Sequence, residues 1–146
     1  MNTPDQSRRI ILGVAASDAH AVANQLIAHD LRALGYDVVN LGTCTPIEEF
    51  ARAAETHPET LAVLIGSVNG HVHEDLRELK SAQRAGRITC PVVVGGNLSV
   101  GAAKSADSLE RLRQLGVDYI LSDADELPAL LVEIARLRSL PVRSAS

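Results

Sequence analysis

Asp18 and His20 stand two positions apart in a short polar break, Ser17-Asp18-Ala19-His20, that interrupts an otherwise apolar run beginning after Arg9. A carboxylate at this distance can hold one imidazole nitrogen as a hydrogen-bond donor, which leaves the other nitrogen's lone pair free to bind a metal ion. Two further breaks carry unusual composition. Gly66-Ser67-Val68-Asn69-Gly70-His71 is a stretch of small and polar residues too long to be only a turn. Gly95-Gly96-Asn97 puts adjacent glycines where backbone must come close to something or adopt a positive φ.

Each break follows an apolar run and precedes a helix-period pattern, which predicts strand-to-helix loops. Ile10 to Ala16 is a continuous apolar run, as expected of a strand buried on both faces. Val22, Leu26, Ile27, Leu31 and Leu34 predict the inward stripe of a first helix, with Asn24, Gln25, His29 and Arg32 opposite and Gly35 as its stop. Asp37 to Leu41 predicts a second strand. Thr45-Pro46-Ile47-Glu48 predicts a capping box, with Thr45 as N-cap and Glu48 closing it, at the head of a helix reaching about Glu55. Leu61 to Ile65 and Cys90 to Val94 predict strands three and four, separated by one helix over about Glu74 to Ala85. A helix over about Ser105 to Leu115 with Leu109 and Leu112 inward, a short strand Tyr119 to Leu121, and a helix from about Glu126 with Leu127, Leu130, Leu131, Ile134 and Leu137 inward complete the pattern.

Five strands alternating with five helices imply an α/β fold, a flavodoxin-like, doubly wound parallel sheet in the order 2-1-3-4-5 with helices on both faces. That order brings the three unusual loops to one end of the sheet, where open α/β sheets bind ligands. At 146 residues the chain is expected to form one domain over 9–139, with a flexible amino terminus at 1–8 and a flexible tail at 140–146.

Composition narrows the chemistry. Hydrophobic residues make up 46%, which suits a globular core, while aromatics are only 2%, too few to stack bases. A net charge of -4 gives no basic footprint for nucleic acid. Cys44 and Cys90 have no metal-ligand spacing and read as reduced thiols of a cytoplasmic protein. No stretch has the apolar length of a membrane span or the core of a signal peptide, so no membrane partner is expected.

The loops exclude several occupants. A phospho-acceptor receiver needs an aspartate at the end of strand three and a lysine after strand five, where this chain has Gly66-Ser67 and Ser122-Asp123. A flavodoxin needs a phosphate loop after strand one and aromatics around the flavin, and the chain has neither. His71 and His73 could ligate a metal but read more simply as an exposed pair of loop histidines. Ser67 has no base visible in sequence to activate it as a nucleophile.

The three loops together resemble the three motifs of cobalamin-binding domains, Asp-x-His-x-x-Gly, Ser-x-Leu and Gly-Gly. The resemblance to the small subunits of glutamate mutase (methylaspartate mutase) extends over nearly the whole chain, through SDAHAVAN (17–24), GYDVVNLG (35–42), NGH (69–71) and VGGNLSVG (94–101). It implies adenosylcobalamin bound base-off, with His20 replacing dimethylbenzimidazole as the axial cobalt ligand, Asp18 orienting His20, and the displaced nucleotide tail in a channel beside strand one. The cofactor-binding residues it implies are Ser17, Asp18, Ala19, His20, Ala21 and Ala23 from the first loop. From the second come Gly66, Ser67 and Val68, and from the third Gly95, Gly96, Asn97, Leu98, Ser99, Val100 and Gly101. Two positions depart from the motifs. Ala23 adds a methyl group where the family has glycine, and Gly66 stands where Ser-x-Leu begins, leaving Ser67 as the neighbouring hydroxyl.

The function so implied is the cobalamin-binding subunit of a carbon-skeleton mutase acting on glutamate to give 3-methylaspartate, an isomerase that is inactive without its partner. The chain shows no arginine clamp for an amino acid and is too short for an attached barrel, so a larger barrel-type catalytic subunit is expected. The competing expectation is a corrinoid-binding module without mutase activity: a methyl carrier, a sensor or a degenerate paralogue.

Overall fold

Strand residues 10–12 lack the usual alternation of polar and apolar side chains because helices cover both sides of the sheet they enter. A computed structural model describes residues 8–16, 21–67, 72–95, 106–121 and 123–139. Its elements are β1 (Arg9–Val14), α1 (Val22–Ala33), β2 (Asp37–Asn40), α2 (Ile47–Thr56), β3 (Ala62–Gly66), α3 (Val72–Asp75), α4 (Leu79–Arg84), β4 (Val92–Gly95), α5 (Ala106–Gln114), β5 (Tyr119–Ile120), a 3-10 turn (Ala124–Glu126) and α6 (Leu127–Ser139). The five strands are parallel in the order β2-β1-β3-β4-β5, the expected topology. Among the described residues no helix is long and apolar enough to cross a membrane.

Strand alternation sorts the core into two halves. Ile11, Val63, Ile65, Val92 and Val94 pack against Phe50 of α2, Leu79 of α4 and Leu112 of α5. Ile10, Leu12, Ala62, Leu64 and Val93 pack against Ala28 and Leu31 of α1 and Leu131 and Ile134 of α6. The site is a matter of the second half, because two glycines fall on that side.

Four local expectations are corrected. Helix α1 turns Asn24, Ala28 and Leu31 inward, whereas Val22, Leu26 and Leu34 are exposed, Val22 by 73%. The small Ala28 lets the helix lie close to the sheet, and the Asn24 side chain finds a partner in Asn40 of β2, so the inward face is rotated by about one residue position. Gly35 does stop the helix, at φ +97°, and the Arg8 guanidinium caps the last carbonyls, reaching Leu34 O at 2.9 Å and Gly35 O at 3.1 Å.

The capping box does not form. Thr45 bridges to Ala15 as an extension of the sheet, its N–H donating to Val14 O at 2.8 Å, and its buried hydroxyl donates back into the loop to Gly42 O at 3.1 Å. Glu48 instead points outward in a bidentate pair with Arg87, both bonds 2.8 Å, which ties α2 to the chain after α4. The expected single helix over 74–85 is two short helices. Leu79 N–H donates to Leu76 O and Arg77 N–H to Glu74 O, bonds of i to i−3 type that tighten the chain and bring fully buried Leu76 and Leu79 onto one face. Finally, Leu137 is exposed, since α6 buries only Leu127, Leu131 and Ile134 fully, while Arg138 turns back to donate to Thr60 O at 2.7 Å.

Candidate functional site

Parallel register sets the level at which each loop leaves the sheet. Val14 pairs with Gly66 and Gly66 with Gly95, so β1, β3 and β4 end side by side. The ladder continues one step further, with Ala15 N–H donating to Gly66 O at 2.9 Å and Ser67 N–H to Gly95 O at 3.0 Å. The three stems expected to converge do so. Ser17, Asp18, Ala19, His20, Val68, Gly96, Asn97, Leu98, Ser99, Val100 and Gly101 lie outside the described residues, as does His71, and the structural account rests on the stems that carry them.

Gly66 and Gly95 share one face. Leu64 and Val93, two residues earlier on each strand, belong to the α1/α6 half of the core, so the absent side chains of both glycines fall on that side. A Cβ on Gly66 would meet only Gly13 O, at 3.9 Å, and one on Gly95 would make ordinary contacts with Leu121 at 3.5 Å. In a sheet otherwise filled with Val, Ile and Leu, the paired glycines leave a bare strip at its carboxyl end beneath α1 and α6.

Ser67 follows on the opposite face. It is 1% exposed and its Oγ has no hydrogen-bond partner. A buried hydroxyl without a partner costs free energy, on the order of 1–3 kcal/mol, unless a ligand supplies the missing bond. The Ser67 hydroxyl is therefore a ready polar contact at the root of the second loop. Ala21 is the N-cap of α1 and makes no side-chain cap bond, and Ala23 lies exposed in the first turn.

Asn24, which the periodicity placed on the outer face of the first helix, also belongs to this end, beside Asn40 of the expected second strand. Asn24 is buried against the sheet, and Asn40 closes β2. Their pairing was legible only as two asparagines flanking the first helix and second strand, a signal too weak to separate from turn chemistry. Among the described residues no group of three or more His, Cys, Asp or Glu side chains is placed to hold a metal ion. A depression of about 580 Å³ beside Thr89, Pro91, Arg113 and Asp118 lies at the other end of the sheet and gathers no ligating set. Cys90, close by, is buried, and burial pushes its thiol up to about 11, so it is an unreactive core residue.

Three strands ending side by side at the switch point, two of them in glycine, are the place where an open α/β sheet binds a ligand. The B12 binding domain family matches residues 8–132. The glutamate mutase sigma subunit 1 of Haloarcula marismortui is 36% identical over 129 residues, covering 88% of this chain and 84% of that one. The sigma subunit of Halobacterium salinarum is 40% identical over 113 residues, covering 77% and 75%. The chain belongs to the B12-binding domain family and, within it, to the glutamate mutase sigma subunits. Among solved structures, a cobalamin-binding protein from Desulfitobacterium hafniense superposes with a TM-score of 0.71 at 18% identity, covering 88% of this chain and 60% of that one, a likeness of fold.

Proposed function

We propose that this chain is the cobalamin-carrying subunit of an adenosylcobalamin-dependent mutase interconverting glutamate and 3-methylaspartate, acting with a larger, barrel-type catalytic subunit. The observation that carries the reading is the Gly66–Gly95 strip in register on the α1/α6 face of the sheet. The glycines fit the group: a base-off cofactor needs a slot along one face of the sheet for its nucleotide tail. The similarity to sigma subunits over most of both chains supports the mutase assignment over a corrinoid carrier without mutase activity.

In this reading His20 holds cobalt, and Asp18 fixes the ring so that its free lone pair faces the metal. Gly66 and Gly95 would admit the tail against backbone. The chemistry the cofactor supplies when bound is hydrogen abstraction from an unactivated carbon, set off by homolysis of its cobalt–carbon bond. The chain's own residues bind, orient and shield it. The substrate is held by the partner subunit.

The test is direct. Purified protein titrated with adenosylcobalamin should change the visible spectrum saturably, and adding the catalytic subunit should give glutamate-dependent 3-methylaspartate formation. Saturable binding without turnover in the reconstituted pair would favour the carrier alternative, and absence of any binding would remove the assignment.

A further inference from the structure

Asn40 and Asn24 form a relay of amides whose polarity is set from one end. The backbone N–H of Gly42 donates to Asn40 Oδ1 at 3.0 Å, which fixes that atom as oxygen. Asn40 Nδ2 then donates to Asn24 Oδ1 at 2.8 Å. Turning the Asn24 amide over would set two NH2 groups against each other, and turning both would set the Asn40 NH2 against the Gly42 N–H. The relay therefore ends in an NH2 group, Asn24 Nδ2, which is buried on a residue only 5% exposed and has no hydrogen-bond partner.

An unpaired buried donor is a cost the fold had simple means to avoid, since Ala28 and Leu31 fill the same face of α1 with apolar groups. Its position points to the reason. Asn24 lies in the first turn of the helix that follows the Asp18–His20 loop, and its partner Asn40 pairs with Leu12, two residues before β1 reaches the level of Gly66. The unused donor is thus buried between α1 and the sheet, in the half of the core where the glycine strip lies.

We propose that Asn24 Nδ2 binds the cofactor's nucleotide tail, donating to an acceptor atom of the tail where it passes between α1 and the sheet, with Asn40 as a positioning residue that holds the amide in that orientation. The inference rests on the cobalamin reading above. It adds a polar contact outside the three loop motifs and makes it selective for ligands that carry a tail.

Cobinamide, the corrin without its nucleotide, separates this role from general damage. Asn24→Asp keeps the bond from Asn40 but replaces the free donor with an acceptor. Asn24→Ala removes the donor, and Asn40→Asp reverses the relay while leaving Asn24 in place. Each should weaken cobalamin binding by about tenfold or more while cobinamide binding stays within about twofold of wild type. Thermal unfolding of the free Asn40→Asp variant should occur no lower than in wild type, because the Asn24 NH2 then finds the new carboxylate. Unchanged cobalamin affinity in Asn24→Asp and Asn24→Ala would overturn the proposal, and so would parallel loss of both ligands. If the wild-type protein binds no cobalamin, the underlying reading fails, and this inference fails with it.

Discussion

The two ends of the same sheet are built on opposite rules. At the amino end, polar groups find partners: Arg9 bridges Asp37 at 2.7 Å and Glu59 at 2.8 Å, and Asp118 accepts from Val92 N–H at 2.9 Å. There Arg8 and Arg138 also cap carbonyls of α1 and of the turn before β3. At the carboxyl end β3 and β4 finish in glycine, and the unpartnered buried side-chain atoms found among the described residues, Ser67 Oγ and Asn24 Nδ2, both lie there. One end closes the fold. The other leaves room and unused hydrogen-bonding capacity, which is stability given up in favour of a ligand.

Filling the bare strip should break the comparison most strongly. Gly66→Val adds a side chain where the free protein has open space, so thermal stability should hold or rise, while cobalamin affinity should fall about 100-fold through overpacking of the slot. Equal affinity in a titration would show that the strip lies outside the site. Ser67→Ala should have a smaller effect, on stability alone. It removes an orphaned hydroxyl on the other face of the sheet, leaving the free protein equally or more stable and its cobalamin affinity within about twofold of wild type. A loss of affinity in this variant would show that the ligand reaches both faces of the sheet.

The amino end should answer in reverse. Arg9→Met keeps the aliphatic stem but loses two partly exposed ion pairs, so unfolding free energy should drop by about 1 kcal/mol while the dissociation constant for cobalamin stays at the wild-type value. The smallest expected effect lies away from both ends. The Arg87 guanidinium holds the Glu48 carboxyl at about 2, below its ordinary 4.5. Because the folded value is depressed, the stabilisation is present above pH 4.5 and is lost as pH falls toward 2. Glu48→Gln should lower the melting temperature slightly at pH 7, and that difference should shrink steadily in acid melts as the pH falls from 4.5 through about 2.

Much of this architecture was legible because strands buried on both faces leave an unmistakable apolar run, as in Ile10-Ile11-Leu12 and Pro91-Val92-Val93-Val94, and because glycines interrupt two such runs where side chains must be absent. The rotation of α1 was not legible. Hydropathy favours a stripe through Val22 and Leu26, whereas the structure turns Asn24 inward because Asn40 lies across from it, a pairing that exists only once α1 and β2 are packed. The capping box failed for a related reason: Thr45 is held by the ladder to Ala15, and tertiary hydrogen bonding outweighed a local motif. The break between α3 and α4, where the bonds tighten to i to i−3 type, left no mark in the periodicity, since Leu76 and Leu79 share a face in an unbroken helix as well.

The central claim, that the chain carries cobalamin on the imidazole of His20, is tested most directly by electron paramagnetic resonance of the bound Co(II) form. Protein grown with nitrogen-15 histidine should convert the ligand hyperfine triplets to doublets, and His20→Ala should abolish that isotope effect. Triplets that persist in the labelled wild-type protein would show that a nitrogen other than histidine's holds the cobalt, and would contradict the account.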